Sequence, residues 1–319
     1  EVALGGAPVA LLRPPLEEVG VGGPGDEPVE GDAVALDLAP LLVALGPDDR
    51  GGLEQARREV AEAIGAEPGQ VIFTSGGTEA DNLAVIGAAV AARDKGRRMS
   101  AVVASTEHKA VLAAAHKVVQ LGGEEVILSV DSRGLVDLDA LDRALVERPG
   151  VVSVMWVNNE LGVIQPVETV AERCHAAQVP FHTDAVQAFG KIPVSVASLP
   201  CSLVTLSGHK IGAPKGIGAL VVRLRGVVES IIHGGGQQFG IRPGTENVAG
   251  AVALGRAATL VAAEQASEAV RLIGLRDALA SRLKAAVEGL SVNAEGAPRA
   301  PHILSVAVPG SDSEALLMH

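Results

Sequence analysis

Tyrosine is absent from this 319-residue chain, and the other aromatics are scarce at four Phe and one Trp. The missing tyrosines remove that side chain from every catalytic role, and Ala, Val, Leu and Gly must make most of the core. There are only two cysteines, Cys174 and Cys201. They lack CxxC spacing, and the adjacent Cys174-His175 pair cannot easily face one metal from a helix, so they are read as reduced thiols of a cytoplasmic protein. Positive charge is in deficit, with 26 Lys and Arg against 38 Asp and Glu and a net charge of −12. That balance argues against nucleic acid or an anionic membrane as a partner held by bulk electrostatics.

No uninterrupted apolar run reaches the ~18 residues that a bilayer-spanning helix needs. The most apolar stretches carry Asp37 or Arg256 inside them. The chain opens on Glu1 with an acidic, Gly- and Pro-rich stretch that has no basic region, so no signal peptide is expected, and the natural N-terminus is expected to lie elsewhere.

A hydrophobic fraction of 48% is enough for a sizeable core, in one large domain or two. Residues 1–50 read as an irregular segment, broken by Gly22-Gly23-Pro24-Gly25 and Pro28, with only Ala33 to Leu45 apolar enough for an ordered element. A helix is expected over Leu53 to Ile64. Seven strands follow from short apolar runs: Gln70 to Thr74, Ser100 to Ser105, Glu125 to Ser129, Val151 to Val157, Pro180 to Thr183, Leu203 to Leu206 and Ala219 to Val222. Helices are expected between them at Glu79 to Arg93, Lys109 to Leu121, Leu138 to Glu147 and Val167 to Ala177. This alternation specifies an α/β fold with a mostly parallel sheet covered on both faces.

After residue 245 the pattern turns helical, with Val248 to Ala263, Glu264 to Leu290, a strand at His302 to Val308 and a helix starting at Ser313. The composition divides the chain into a large domain over 51–263 and a smaller C-terminal α+β domain over 264–319.

The polar residues collect at predicted strand ends. In Val71-Ile-Phe-Thr-Ser-Gly-Gly-Thr-Glu-Ala-Asp-Asn82 a strand, a glycine turn and a helix follow one another, placing Gly76, Gly77 and Thr78 at a helix N-terminus. Free amides and the helix dipole there suit a phosphate. The segment is neither a Walker loop nor a GxGxxG fingerprint, and read alone it could equally be an ordinary turn capped by Thr78. The strand Leu203–Leu206 runs into Ser207, His209 and Lys210. A lysine at a buried strand end can lose hydration and become the amine of a Schiff base, with Ser207 and His209 free to bond a phosphate on the same ligand.

Pro180-Phe-His-Thr-Asp184 ends in a carboxylate at the sheet edge where open α/β folds bind ligands. Asp184 can serve as the partner of a pyridinium nitrogen, the role that makes pyridoxal phosphate an electron sink; alone it would read as a helix cap. His108 in Ser105-Thr-Glu-His-Lys109 can stack on a flat cofactor and move protons. Asn158 and Asn159 can bond a phenolic oxygen. Five such groups at successive strand ends are harder to attribute to chance than any one.

These segments resemble the cysteine desulfurase family, pyridoxal-phosphate enzymes of the class V aminotransferase-like group. The resemblance runs from about Gln55 to Leu317 through FTSGGTEADNLAV, STEHKAVL, MWVNNELGVIQPV, HTDAVQAFGK, SGHKIGAPKGIGAL and GGGQ followed by RPGTENV. It implies fold type I and pyridoxal 5'-phosphate as cofactor. Lys210 resembles the Schiff-base lysine and His108 the residue stacked on the ring that helps move protons. Asp184 would pair with the ring nitrogen, Gln187 and Asn159 would serve the phenolic oxygen, and Gly77, Thr78, Ser207 and His209 would hold the phosphate.

Thr245 resembles the threonine that reaches the phosphate of the other subunit, which implies a homodimer. The implied substrate is L-cysteine, or selenocysteine for a lyase-like relative. Its sulfur would pass to an acceptor protein for iron–sulfur cluster or thiolated-product synthesis.

Three departures from the family pattern stand out. Residues 1–50 lack the usual Leu-Asp-x-Ala-Ala-Thr-Thr opening and the GNPSS-type substrate loop, leaving Ala35-Leu-Asp-Leu-Ala-Pro40 as a remnant. The glycine loop continues Gln237-Gln238-Phe239 in place of a charged pair, so a charge pair near the dimer seam is expected to be lost. The family's nucleophilic cysteine follows a segment like Pro309–His319, and neither Cys174 nor Cys201 holds that position. The sequence as printed is therefore expected not to complete sulfur transfer, and a scaffold subunit with a pyridoxal-phosphate fold is the rival expectation.

Overall fold

The computed structural model describes residues 49–311. Most of the expected irregular N-terminal segment, the element at 33–45, the remnant at 35–40 and the helix from Ser313 lie outside the described residues. The described chain begins with helix α1 (Asp49–Ile64) and strand β1 (Val71–Thr74), then α2 (Gly77–Asp94), β2 (Ser100–Ala104), α3 (Lys109–Gln120) and β3 (Glu124–Leu128). There follow α4 (Leu138–Val146), β4 (Val151–Ser153), α5 (Val167–Ala176), β5 (Phe181–Asp184), β6 (Leu203–Ser207) and β7 (Gly218–Val222). The helix α6 (Val248–Ala286) and a small hairpin-like pair, β8 (Ser291–Val292) and β9 (Val306–Ala307), complete it.

The seven strands form one sheet in the order β1-β7-β6-β5-β4-β2-β3. Strands β2 to β6 pair in parallel, and β7 is antiparallel to both β6 and β1, so β7 alone runs against the rest. The expected mostly parallel sheet of seven strands, with helices on both faces, is the fold observed. Each face has its own core. One packs α1, α4, α5 and the first half of α6 over Phe181, Val204 and Leu206; the other packs α2 and α3 over Val103, Leu203 and Leu220.

The scarcity of aromatics is answered by close approach. Helix α2 buries Ala80, Ala84, Ala88, Ala89, Ala91 and Ala92, and small side chains let a helix lie near the sheet without voids. Phe73, Phe181 and Phe189 are buried with Trp156, while Phe239 is 60% exposed.

Two expectations at the C-terminal end are corrected. The helices Val248 to Ala263 and Glu264 to Leu290 form one helix of 39 residues, α6, which passes residue 264 without a break; nothing in Arg256–Glu268 is Gly or Pro, so no residue there interrupts the backbone ladder. The strand at His302 to Val308 contracts to Val306–Ala307, which pairs with β8, and the chain just before the expected strand is bonded to a different neighbour. Ile164 donates its N–H to the Pro298 carbonyl and Ala300 donates to Gly162. Among the described residues no helix is long and apolar enough to cross a membrane.

Candidate active site

The C-terminal ends of β1, β5 and β6 and the loops after β2 and β4 open on a single cleft of about 460 Å3, lined by Gly77, Thr78, His108, Asn159, Asp184, Gln187, Ser207, His209 and Lys210 among others. Nine of the ten site residues expected from the sequence thus meet in one place. The tenth, Thr245, is exposed and does not line the cleft.

Each side chain has a local reason for being there. Residue Gly77 is the first of α2, and the N–H groups of Gly77 and Thr78 have no backbone acceptor among the described residues, leaving the positive end of the helix dipole open to the cleft. A Cβ on Gly77 would lie 3.1 Å from Val186 Cγ2 and 3.4 Å from Ser207 Cβ. Glycine therefore shapes a cradle that a methyl would begin to fill. Behind it, a Cβ on Gly218 would stand 2.7 Å from the Gly76 backbone, so β7 can support the turn only as glycine.

Ser207 ends β6, and its Oγ lies 2.8 Å from His209 Nδ1. His209 is held below the ordinary histidine range by desolvation, then by Lys210 and Lys215. Lys210 closes a 3-10 turn, Gly208–Lys210, and is exposed to the cleft. His108 caps α3, its Nδ1 accepting the Ala110 N–H at 3.2 Å. That bond leaves Nε2 as the protonated nitrogen of the neutral ring.

Asp184 ends β5 and is 5% exposed, with its carboxylate accepting the Val186 N–H at 2.8 Å. Burial raises its carboxyl above the ordinary value, against the lowering effects of the Val186 N–H and of His108. A cationic ring nitrogen bound against it would reverse that shift. Of the two asparagines, Asn159 lines the cleft while Asn158 builds the loop: its Oδ1 accepts from Glu160 and Leu161 N–H, and its Nδ2 donates to the Thr106 carbonyl at 2.9 Å.

Under the cleft lies a polar layer that sequence reasoning missed. Asp81, Glu107, Ser153, His182 and Thr205 are all buried. Glu107 accepts the Met155 N–H at 2.6 Å, and its other oxygen is 3.4 Å from Ser153 Oγ. Ser153 Oγ is 2.8 Å from His182 Nδ1, and His182 Nε2 is 3.0 Å from Thr205 Oγ1 and 3.7 Å from Asp81 Oδ1. Burial pushes Glu107 up to about 8, helped by the charge of Asp184 and opposed by the Met155 N–H and Ser153. Desolvation pulls His182 down to about 3, and Asp81 is raised by burial and by Asp184. A protonated Glu107 donating to Ser153, and a neutral His182 accepting from Ser153 and donating to Thr205, joins these four in series, while Asp81 Oδ1 is buried with no hydrogen-bond partner. Glu107 and His182 stood inside the quoted motifs, at Glu107-His108 and His182-Thr-Asp184, one and two positions from residues that were singled out.

The glycine loop also differs from expectation. Buried Gln238 accepts from Phe73 N–H at 2.9 Å and Arg57 Nη1 at 3.1 Å, and donates to Glu246. Arg57 lies between the Phe73 and Phe239 rings, 5.2 and 5.0 Å from their centroids. An ion pair remains nearby, Arg242 Nε to Glu79 at 2.6 Å. Burial alone would raise Glu79, but the bonds from Arg242 and Ser75 outweigh it and hold the carboxyl below its usual value.

Neither cysteine reaches the cleft. Cys174 is buried on α5, its thiol pushed up to about 12 by burial, and burial also raises Cys201, against the pull of Arg223. No group of three or more metal-ligating side chains occurs among the described residues. The open helix end, the lysine and the buried carboxylate are the groups that a phosphorylated pyridine aldehyde would use: phosphate at Gly77–Thr78, ring nitrogen at Asp184, aldehyde at Lys210.

Comparison with known proteins agrees with that fit. The profile of the family described as "Aminotransferase class-V" matches residues 46–319. Cysteine desulfurase IscS of Edwardsiella ictaluri (strain 93-146) is 41% identical over 268 residues, 83% of this chain and 66% of that protein. Cysteine desulfurase IscS of Dictyoglomus turgidum (strain DSM 6724 / Z-1310) is 38% identical over 274 residues, 86% of this chain and 69% of that one. The chain thus spans about two thirds of the length of these relatives. A solved NifS-like protein superposes with a TM-score of 0.80 at 35% identity, over 84% of this chain and 73% of its own. With this fold and this cleft, the chain belongs to the class-V aminotransferase family of pyridoxal-phosphate proteins, within its cysteine desulfurase group.

Proposed function

We propose that the cleft performs the cofactor and substrate steps of a cysteine desulfurase, converting L-cysteine to L-alanine while its sulfur passes to an acceptor thiolate. The observation that carries this reading is the meeting, in one cleft, of Lys210, His108, buried Asp184 and the open N-terminus of α2.

Bound pyridoxal phosphate supplies an electron sink that stabilises negative charge at the substrate α-carbon. Asp184, a buried carboxylate lining the cleft, would hold the ring nitrogen in its protonated form. Gly77, Thr78, Ser207 and His209 bind the phosphate and fix the ring's position. Lys210, exposed in the cleft, is the amine that would hold the cofactor's aldehyde end and, once free, would serve as the base at the substrate α-carbon. His108, its Nδ1 engaged by the Ala110 N–H, would use Nε2 to carry protons, and Asn159 and Gln187 would bond the phenolic oxygen.

Thr245, exposed and outside the cleft, is read as reaching the phosphate site of a second copy, which makes the working unit a homodimer. Both thiols are free and buried, which agrees with a reducing, cytoplasmic setting. Iron–sulfur cluster assembly is the destination suggested by the IscS names of the relatives.

Neither Cys174 nor Cys201 can be the thiolate, so the sulfur acceptor in this reading is a thiol outside this sequence. The rival reading is a cofactor-binding scaffold subunit. The two part on one experiment. Adding L-cysteine to the cofactor-loaded chain should change the visible absorbance of the bound cofactor, and Lys210→Ala should abolish the starting band. A normal band that ignores L-cysteine would leave the scaffold.

A further inference from the structure

One ring from the far end of the chain, that of His302, meets a residue that lines the cleft and has no part in the reading above. The segment Pro298–Ile303 runs along the loop that follows Asn159. Ile164 N–H donates to Pro298 at 2.9 Å, Ala300 N–H donates to Gly162 at 2.8 Å, and Arg299 donates to the Leu161 carbonyl at 3.3 Å. At Gly162, where φ is +74°, a Cβ would stand 2.8 Å from Ile303 Cβ, so the loop accepts this neighbour only as glycine. The segment is therefore seated on the loop on both sides of His302.

His302 Nε2 lies 3.2 Å from Gln187 Oε1. Its Nδ1 is buried with no partner, and Gln187 Nε2 has no partner among the described protein groups while Gln187 lines the cleft. Two arrangements of this pair are conceivable, and burial selects one. If Nδ1 carried the proton, an N–H donor would be stranded in the interior; if Nε2 carries it, only a lone pair is left unmatched, which is the milder defect. Lys191 and Lys210, the charged groups that act on the ring, favour the same neutral form. Desolvation, with those two lysines, holds His302 at about 4, so the ring stays neutral through the working range.

We infer that His302 is a positioning residue: by donating Nε2–H to Gln187 Oε1 it locks the glutamine amide with its N–H2 toward the cleft. Gln187 can then only donate there. An anionic acceptor, such as the phenolate of the bound cofactor, is favoured over a neutral hydroxyl that needs an acceptor of its own. This rests on the reading that pyridoxal phosphate occupies the cleft.

The test is the pH midpoint of the visible absorbance of bound pyridoxal phosphate, which reports the proton shared between the lysine-linked nitrogen and the phenolic oxygen. Loss of a fixed donor to the phenolate should favour the protonated form. His302→Leu should therefore raise the midpoint by about half to one pH unit, since a hydrogen bond to the charged form favours that form. His302→Gln, which keeps an N–H donor at that reach, should return it toward wild type. In a Gln187→Ala background, His302→Leu should have no further effect.

A normal band with the same midpoint in wild type and His302→Leu would overturn the inference while leaving the cofactor reading intact. Absence of any band in cofactor-saturated wild type would overturn both. Nitrogen NMR of the wild-type histidines settles the same point without a variant. His302 is expected as the Nε2–H tautomer at every pH from 5 to 9, and an Nδ1–H tautomer would contradict the proposal.

Discussion

Replacing Glu107 by glutamine should make this protein more stable at alkaline pH and leave it nearly unchanged at acid pH. Glu107 is fully enclosed, and burial raises its carboxyl from 4.5 to about 8. Between those values the folded protein keeps a proton that the unfolded chain has released, so stability falls as pH rises and levels off above about 8. At about 1.36 kcal/mol per pH unit, the full span is worth roughly 5 kcal/mol. His182, held at about 3 in the fold, has the opposite slope below pH 6.5: the unfolded chain takes up a proton first, and stability falls as pH drops.

The two slopes oppose each other between 4.5 and 6.5, and above 6.5 that of Glu107 stands without the histidine's. Glutamine cannot ionise, yet it keeps an oxygen for the Met155 N–H and an N–H2 for Ser153 Oγ. Urea unfolding of the cofactor-free proteins at pH 6.5 and 8 should show Glu107→Gln gaining about 2 kcal/mol on wild type across that interval. Parallel curves for the two proteins would mean that Glu107 is already ionised in the fold, and the series of bonds from Glu107 to Thr205 would be wrong.

Other predictions follow from the same contacts. Gln238→Ala strands the Phe73 N–H and removes one of the Arg57 bonds while Glu54 and the Val71 carbonyl still hold that side chain, and should cost about 1–3 kcal/mol in chemical denaturation. Gly77→Ala puts a methyl 3.1 Å from Val186 at the phosphate cradle. It should weaken pyridoxal phosphate binding by about tenfold, equivalent to ~1.4 kcal/mol, with little change in the melting temperature of the cofactor-free protein. Cys174 and Cys201 should resist alkylation at pH 8 in the native state and react once the chain is unfolded, because burial raises both thiols.

The legible part of the fold is the part where local chemistry and tertiary structure agree. Strands such as Leu203–Ser207 are short apolar runs buried along their whole length, and the residues ending them carry the chemistry because the sheet's edge is where chain direction and ligand access coincide. The helix joint at residue 264 was misread because amphipathic character shifts there while nothing breaks the backbone. His302–Val308 had strand composition, but only Val306–Ala307 pairs as a strand, and just before the segment Pro298 and Ala300 bond the loop at Ile164 and Gly162.

The buried layer was hidden for another reason. Asp81, Glu107 and His182 are polar residues whose partners lie 23 to 48 positions away where hydrogen bonds join them, and no spacing rule connects such positions. His302 and Gln187, 115 residues apart, are the extreme case. In the sequence Gln238 reads only as the loss of a charged residue, whereas its amide accepts from Arg57 and the Phe73 N–H and also donates to Glu246, a combination that a carboxylate could not supply.

The central claim is that the cleft holds pyridoxal phosphate on Lys210. Incubating the purified chain with pyridoxal phosphate, reducing with borohydride and mapping the modified peptide by mass spectrometry tests it directly. The account predicts one pyridoxyl group per chain, on Lys210, and its loss in Lys210→Ala. Modification at Lys215 or Lys191 instead, or scattered over surface lysines with no preferred site, would contradict it.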